Sequence, residues 1–212
     1  MTSGQESTEQ TGITLHTRAA AGTRAAARAL ATCLRAGDLL VLDGPLGAGK
    51  TTFTQGLGDG LGVRGPVASP TFVIARVYPS LQHGPSLVHV DSYRLAGGFD
   101  VDDLDLEAEL DGAVTVVEWG RDQVEHLADS HLLIELDRGR DAEPALEPDD
   151  PDEPRRLRIL PAGPRWDAAA MRSLRAALTA AGLDLEPAEP AGHDAPADRP
   201  VDAATPTDQK ET

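Results

Sequence analysis

Short apolar runs alternate along the chain with helix-forming and turn-forming stretches, and their order predicts an α/β domain. Gly12-Ile13-Thr14-Leu15-His16 reads as a strand. Thr23 to Leu34, rich in Ala, Arg and Leu and free of breakers, predicts a helix that ends at Ala36-Gly37-Asp38. Leu39-Leu40-Val41-Leu42 is the continuous apolar run expected of a strand buried on both faces. Thr51 to Leu61 predicts a second helix. Gly56, Gly58 and Gly60 each lower its intrinsic stability, so packing must hold it.

Beyond Gly65-Pro66, Thr71 to Val77 and Ser86 to Asp91 read as two strands, joined in hairpin fashion through His83-Gly84-Pro85. Leucines 104, 106 and 110 among acids predict a helix from Asp102 to Leu110. Ala113 to Glu118 is a β-branched strand, Arg121 to Ala128 a short helix, and His131 to Leu136 another strand. Arg156-Leu157-Arg158-Ile159-Leu160 alternates as an edge strand would, and Asp167 to Ala181 predicts a closing helix. The expected fold is one domain over residues 13–183 with a mostly parallel central sheet. An antiparallel portion comes from the hairpin and the last two strands, with helices on both faces.

Composition changes this picture only at the margins. The net charge is −16, but seven acids and no base fall between Asp141 and Pro154, and eight acids against Arg199 and Lys210 lie between Asp184 and Thr212. The remaining body is close to neutral, so the total charge says little about partners. The acidic, Pro-rich stretch at 140–155 reads as a flexible loop, and residues 1–12 and 184–212 as disordered segments. Cys33 is the one cysteine, which excludes an intrachain disulfide and any cysteine-built zinc site. The N-terminus lacks the pattern of a secretory signal, and no run of about eighteen apolar residues occurs. A cytoplasmic location is therefore expected.

The chemistry concentrates at Gly44-Pro45-Leu46-Gly47-Ala48-Gly49-Lys50-Thr51, a complete G-x-x-x-x-G-K-[ST] match. It has an apolar strand before it and a helix after it. The glycines let successive N–H groups turn inward toward phosphate oxygens, and the helix adds the positive end of its dipole. Lys50 would reach the β- and γ-phosphates, and the Thr51 hydroxyl would be a Mg²⁺ ligand. Of nineteen basic residues only Lys50 and Lys210 are lysines, so Lys is kept where a compact ammonium is needed.

Two further strands end in acids, at Asp91 and Glu118. In an open parallel sheet ligands sit beyond the carboxyl ends of the strands, which brings both carboxylates toward the loop. One would hold Mg²⁺ and the other would orient the attacking water, in either assignment. Ser69-Pro70-Thr71-Phe72 occupies the position of a γ-phosphate sensor. His89, within a strand, reads as structural. The chain contains no asparagine, hence no Asn-Lys-x-Asp guanine-reading motif, and Arg94 stands where a D-x-x-G switch needs glycine. ATP is the expected nucleotide, and a small-molecule kinase remains the alternative to a hydrolase.

Four ordered motifs now stand together: the loop extended to Thr52, Ser69-Pro70-Thr71-Phe72, His89-Val90-Asp91-Ser92-Tyr93-Arg94-Leu95 and Val117-Glu118-Trp119-Gly120. Over roughly Thr14 to Leu136 the chain resembles the TsaE family, the bacterial ATPases of tRNA threonylcarbamoyladenosine biosynthesis. The resemblance implies a P-loop NTPase-like fold, weak ATP hydrolysis by the isolated chain, and action with two partner proteins, TsaB and TsaD, on adenosine 37 of tRNA. It implies that Thr51 and Glu118 hold Mg²⁺, that Asp91 is required for activity, and that Trp119 lies beside the nucleotide. Thr23 would align near the adenine, although Ala26-Ala27 stands where the family usually has Leu-Gly.

Overall fold

The structure, a computed structural model, describes residues 12–70, 74–92, 111–138 and 154–187. Strands β1 (Ile13–Thr17), β2 (Leu39–Asp43), β3 (Ala75–Tyr78), β4 (Ser86–Asp91), β5 (Ala113–Glu118), β6 (His131–Arg138), β7 (Arg155–Ala162) and β8 (Asp184–Leu185) form one sheet. Among the described residues three α-helices accompany them: α1 (Ala19–Ala31), α2 (Lys50–Leu61) and α3 (Ala168–Ala180).

The sheet order is β3-β4-β5-β2-β6-β7-β1-β8. Its core, β4-β5-β2-β6, is parallel, while β3 and the β7-β1-β8 side are antiparallel. The fold is thus α/β with a mixed sheet around a parallel core, as the strand and helix pattern predicts. β2 explains why: all four of its apolar residues are buried, two on each face. Leu40 and Leu42 join Phe53, Leu57, Leu30 and Leu174 in the larger cluster, which contains residues of all three helices. Leu39 and Val41 meet Val88, Val90, Val117 and Val124 on the opposite face. Among the described residues, that second face is met by a single 3₁₀ turn, Glu125–Leu127, rather than by an α-helix. The helix expected at 102–110 lies outside the described residues.

Several local expectations are corrected. Helix α1 starts at Ala19, four residues before Thr23, with no side-chain cap on Arg18 to mark its beginning. The short helix expected over 121–128 is reduced to the single 3₁₀ turn Glu125–Leu127, preceded by turns with positive φ at Trp119 and Asp122. β7 is an interior strand, hydrogen-bonded to β6 on one side and β1 on the other. Its alternation reflects one face against the core and one outward, which an antiparallel strand shows wherever it lies. Asp184 and Leu185, placed at the start of the tail, pair with His16 and Leu15, and the Glu186 N–H bonds to Thr14 O at 2.8 Å. Thr71 to Val73 and the acidic stretch around 140–153 lie outside the described residues.

The helix caps are as instructive as the strands. Asp167 accepts from the backbone N–H groups of Ala169 and Ala170 at 2.9 and 2.8 Å, satisfying two donors that α3 cannot satisfy itself. Beneath α1, Asp38 is buried but fully paired. It takes two bonds from the Arg165 guanidinium, at 3.0 and 3.1 Å, and one from the Arg35 N–H.

The glycines of α2 are explained by close packing. A Cβ on Gly56 would lie 2.5 Å from Arg24 O and 2.8 Å from the Ala27 methyl, and one on Gly60 would lie 2.6 Å from the Ala31 methyl. One turn apart, they form the strip on which α1 rests. Alanine at 56 gains about 1 kcal/mol of helix propensity, but overpacking costs typically about 1–3 kcal/mol, and against backbone the upper end applies, so net destabilisation of up to about 2 kcal/mol is expected. The check is the urea midpoint of Gly56→Ala. A lower midpoint at unchanged slope is the expected result.

Candidate functional site

The apolar strand β2 delivers the loop at its carboxyl end, and α2 carries it away. Gly44 adopts φ +143°, and a Cβ there would approach Leu136 O to 2.2 Å, so backbone passes against backbone at this point. Gly49, at φ +100°, is the N-cap of α2 and turns the chain into it. Pro45, Leu46 and Gly47 form the exposed crest, whereas Ala48 is buried beneath it. The N-terminus of α2 therefore opens under a loop of free curvature, the arrangement in which backbone N–H groups gather around an anion.

Lys50, the first residue of α2, is only 5% exposed. Its Nζ donates to Gly44 O at 2.6 Å and Pro45 O at 3.0 Å, and lies 3.6 Å from the centroid of the Trp119 ring. Burial pulls its pKa below the ordinary lysine value, opposed by the negative charges of Glu118, Asp43 and Asp91 in that order. The ammonium thus stands in a desolvated place surrounded by carboxylates, where its charge acts more strongly than in water.

Strand pairing brings the acids to it. Asp91 and Glu118 are register partners at the ends of β4 and β5, of which β5 lies directly beside β2. Thr51 Oγ1 donates to Glu118 Oε1 at 3.0 Å, with Oε2 at 3.4 Å. A hydroxyl and a carboxylate from opposite sides of the cleft so share one point, and both are the hard oxygen donors that Mg²⁺ takes alongside phosphate oxygens. The donor set fits that ion. Among the described residues no group of three or more His, Cys, Asp or Glu forms a metal site.

Trp119 sits in the left-handed region at φ +64°, its N–H bonded to Leu42 O at 2.9 Å. That conformation is uncommon for a bulky residue. It turns the indole back over Lys50, from one strand end to the next. Asp43 and Glu135 are bridged by Arg121 at 3.0 and 2.7 Å, which ties the ends of β2 and β6 to the turn after β5. These two carboxylates hold the Arg121 pKa above its already high ordinary value.

The structure therefore gathers Lys50, Thr51, Asp91, Glu118 and Trp119 with the loop residues 44–49 around one cleft. Thr52 lies partly buried on the next turn of backbone. Thr23 is 1% exposed, with its hydroxyl 3.1 Å from that of Thr17 and its methyl packed near Gly49, so it underlies the loop. Ser69 is described, but Thr71, Phe72, Tyr93 and Arg94 are not. Sequence reasoning missed two residues of β4 and its end: His89, whose Nε2 is 2.8 Å from Glu118 Oε1, and Ser92, whose Oγ donates to the Glu118 carbonyl at 3.0 Å. The signal available was parity, since residues 87, 89 and 91 share the face of 114, 116 and 118 once the strands pair in register.

At the opposite, amino end of the strands, a cavity of about 490 Å³ is lined by Arg35, Asp38, Asp111, His126, Asp129 and Arg165 among others. Asp38 and Arg165 there satisfy each other, and open α/β sheets take their ligands at the other, carboxyl end of the strands.

Comparison with known proteins follows the same outline. A family model described as "Threonylcarbamoyl adenosine biosynthesis protein TsaE" matches residues 17–145. A Streptomyces coelicolor protein named tRNA threonylcarbamoyladenosine biosynthesis protein TsaE is 55% identical over 143 residues, covering 67% of this chain and 92% of that one. A Bacillus subtilis protein of the same name is 41% identical over 123 residues, 57% of this chain and 75% of that one. The crystal structure of Bacillus subtilis YdiB superimposes with a TM-score of 0.57 at 30% identity, covering 78% of this chain and 95% of that one.

Proposed function

The chain belongs to the TsaE family, and from that membership together with the cleft we propose that it is a Mg²⁺-dependent ATPase serving tRNA threonylcarbamoyladenosine biosynthesis. The observation that carries the reading is the Thr51–Glu118 contact beside the buried Lys50. Any P-loop protein needs the loop, but a hydroxyl and a carboxylate converging at its mouth serve phosphoryl chemistry.

In this reading the loop N–H groups and Lys50 hold the β- and γ-phosphates, and Trp119 closes one side of the cleft. Bound Mg²⁺, held by Thr51 and Glu118, would supply positive charge to the phosphate oxygens. Asp91, next to Glu118 across the strand pair, orients the attacking water. The water oxygen forms a bond to the γ-phosphorus as the bond to the β–γ bridging oxygen breaks, and its proton leaves to solvent. TsaB and TsaD are the proposed partners, with tRNA reached through them, in the cytoplasm. No described helix is long and apolar enough to cross a membrane.

Steady-state phosphate release, with and without TsaB, TsaD and tRNA, tests this. Slow release by the chain alone that rises with the partners is expected. Transfer of the γ-phosphate to a small acceptor by the isolated chain would replace the hydrolase with a kinase.

A further inference from the structure

His89 lies in the middle of β4 between Val88 and Val90, and its side chain is completely buried. Nε2 is 2.8 Å from Glu118 Oε1, while Nδ1 has no hydrogen-bond partner. Because a carboxylate only accepts, the ring hydrogen in this contact sits on Nε2. A buried polar atom left without a partner is costly, and an apolar residue at 89 would remove that cost. A strand otherwise filled with valine and leucine nevertheless carries a half-satisfied imidazole at this one position. The Nε2 bond to Glu118 is what distinguishes it from a valine.

Glu118 has three side-chain torsions, and burial by itself does not orient a carboxylate. Its bonds from Thr51 come from the loop-and-helix side of the cleft, the side that also receives the phosphates. The bond from His89 comes from the neighbouring strand of the same sheet, a rigid element in fixed register. Just past the strand, Ser92 fixes the Glu118 backbone carbonyl. The end of β5 is thus anchored twice from β4, once at the backbone and once at the carboxylate.

We infer that His89 is the positioning residue of the site: its Nε2–H holds the Glu118 carboxylate facing Thr51, and does not itself touch nucleotide or metal. This rests on the proposed reading of Glu118 as a Mg²⁺ and hydrolysis residue. A residue that orients a metal-bound carboxylate contributes typically about 10–100-fold in activity or metal affinity.

Two substitutions separate positioning from packing. His89→Leu keeps apolar bulk and removes the donor, whereas His89→Gln returns an N–H donor close to where Nε2 was. His89→Leu is expected to lower kcat about 10–100-fold with the KM for ATP changed by less than about threefold, and His89→Gln to recover most of the loss. Equal losses in both variants, or a change confined to KM, would overturn the assignment. A second readout needs neither nucleotide nor turnover. Nitrogen-15 NMR of the wild-type chain without metal should place the ring hydrogen on Nε2, with a resonance that moves in Glu118→Ala. A hydrogen on Nδ1, or an Nε2 resonance indifferent to Glu118→Ala, would end the proposal even if hydrolysis is demonstrated. Conversely, absence of ATP hydrolysis with every partner present would remove the proposed function while leaving the NMR result to decide the His89–Glu118 bond.

Discussion

Lys50→Ala is expected to abolish ATP-dependent turnover, with a fall of at least about 10²–10³-fold, the scale of losing one preorganised electrostatic group in a desolvated site. The ammonium is buried, bonded to two loop carbonyls and covered by an indole, so removing it opens a void and leaves Gly44 O and Pro45 O short of a donor. Solvent enters poorly at such a place, and there is no other lysine among the described residues to substitute. Arginine should not rescue. Its planar fork is bulkier than the ammonium that fits beneath Trp119, and it cannot direct three donors from one nitrogen. Phosphate release from the purified variant and the level of modified adenosine in cells relying on it are the two measurements. Normal tRNA modification supported by Lys50→Ala would sink the site assignment.

Replacing Glu118 should separate binding from chemistry. With Glu118→Gln, the loop and Lys50 keep their phosphate contacts, so ATP affinity should stay within a few-fold while hydrolysis falls about 10²–10³-fold. Glutamine is the cleaner choice. Alanine would leave the Thr51 hydroxyl and the buried His89 N–H without their acceptor, adding about 1–3 kcal/mol of destabilisation that has nothing to do with catalysis. Quenching of Trp119, 3.6 Å from Lys50, offers a binding signal independent of turnover. Unchanged hydrolysis in Glu118→Gln would make the residue structural.

The strand–loop–helix unit around residues 44–51 was legible because every signal for it is local: an apolar strand, glycines where the backbone must turn, lysine and threonine at the helix start. The four parallel strands were legible for a related reason, since each is a short, nearly unbroken apolar run. What failed depends on partners distant in sequence. The alternation of Arg156 to Leu160 reveals which residues face inward but not that β1 lies alongside, so an interior strand looked like an edge. Leu185 looked like the last apolar residue before a polar tail, although it pairs with Leu15. The turns at 121–128 were misread because helix propensity says nothing of the positive φ at Asp122 or the close approach of Gly120 to Val117 and Val124. The role of His89 was hidden for the same reason. Its partner is 29 residues away, and only the register of β4 on β5 puts them together.

The position of β1 has a consequence for how the protein is made. β1 emerges from the ribosome before every other described strand, yet both its neighbours, β7 and β8, are the last of them to follow. At about 5–20 residues per second, synthesis of the intervening segment takes on the order of ten seconds. Throughout that interval Ile13 and Leu15 have no strand to pair with. The parallel core and its 44–51 loop can assemble while the polypeptide is still growing, whereas β1 must wait and then slot between two late arrivals. The growing chain can therefore bring Lys50, Thr51 and Glu118 together before β1 has found a place.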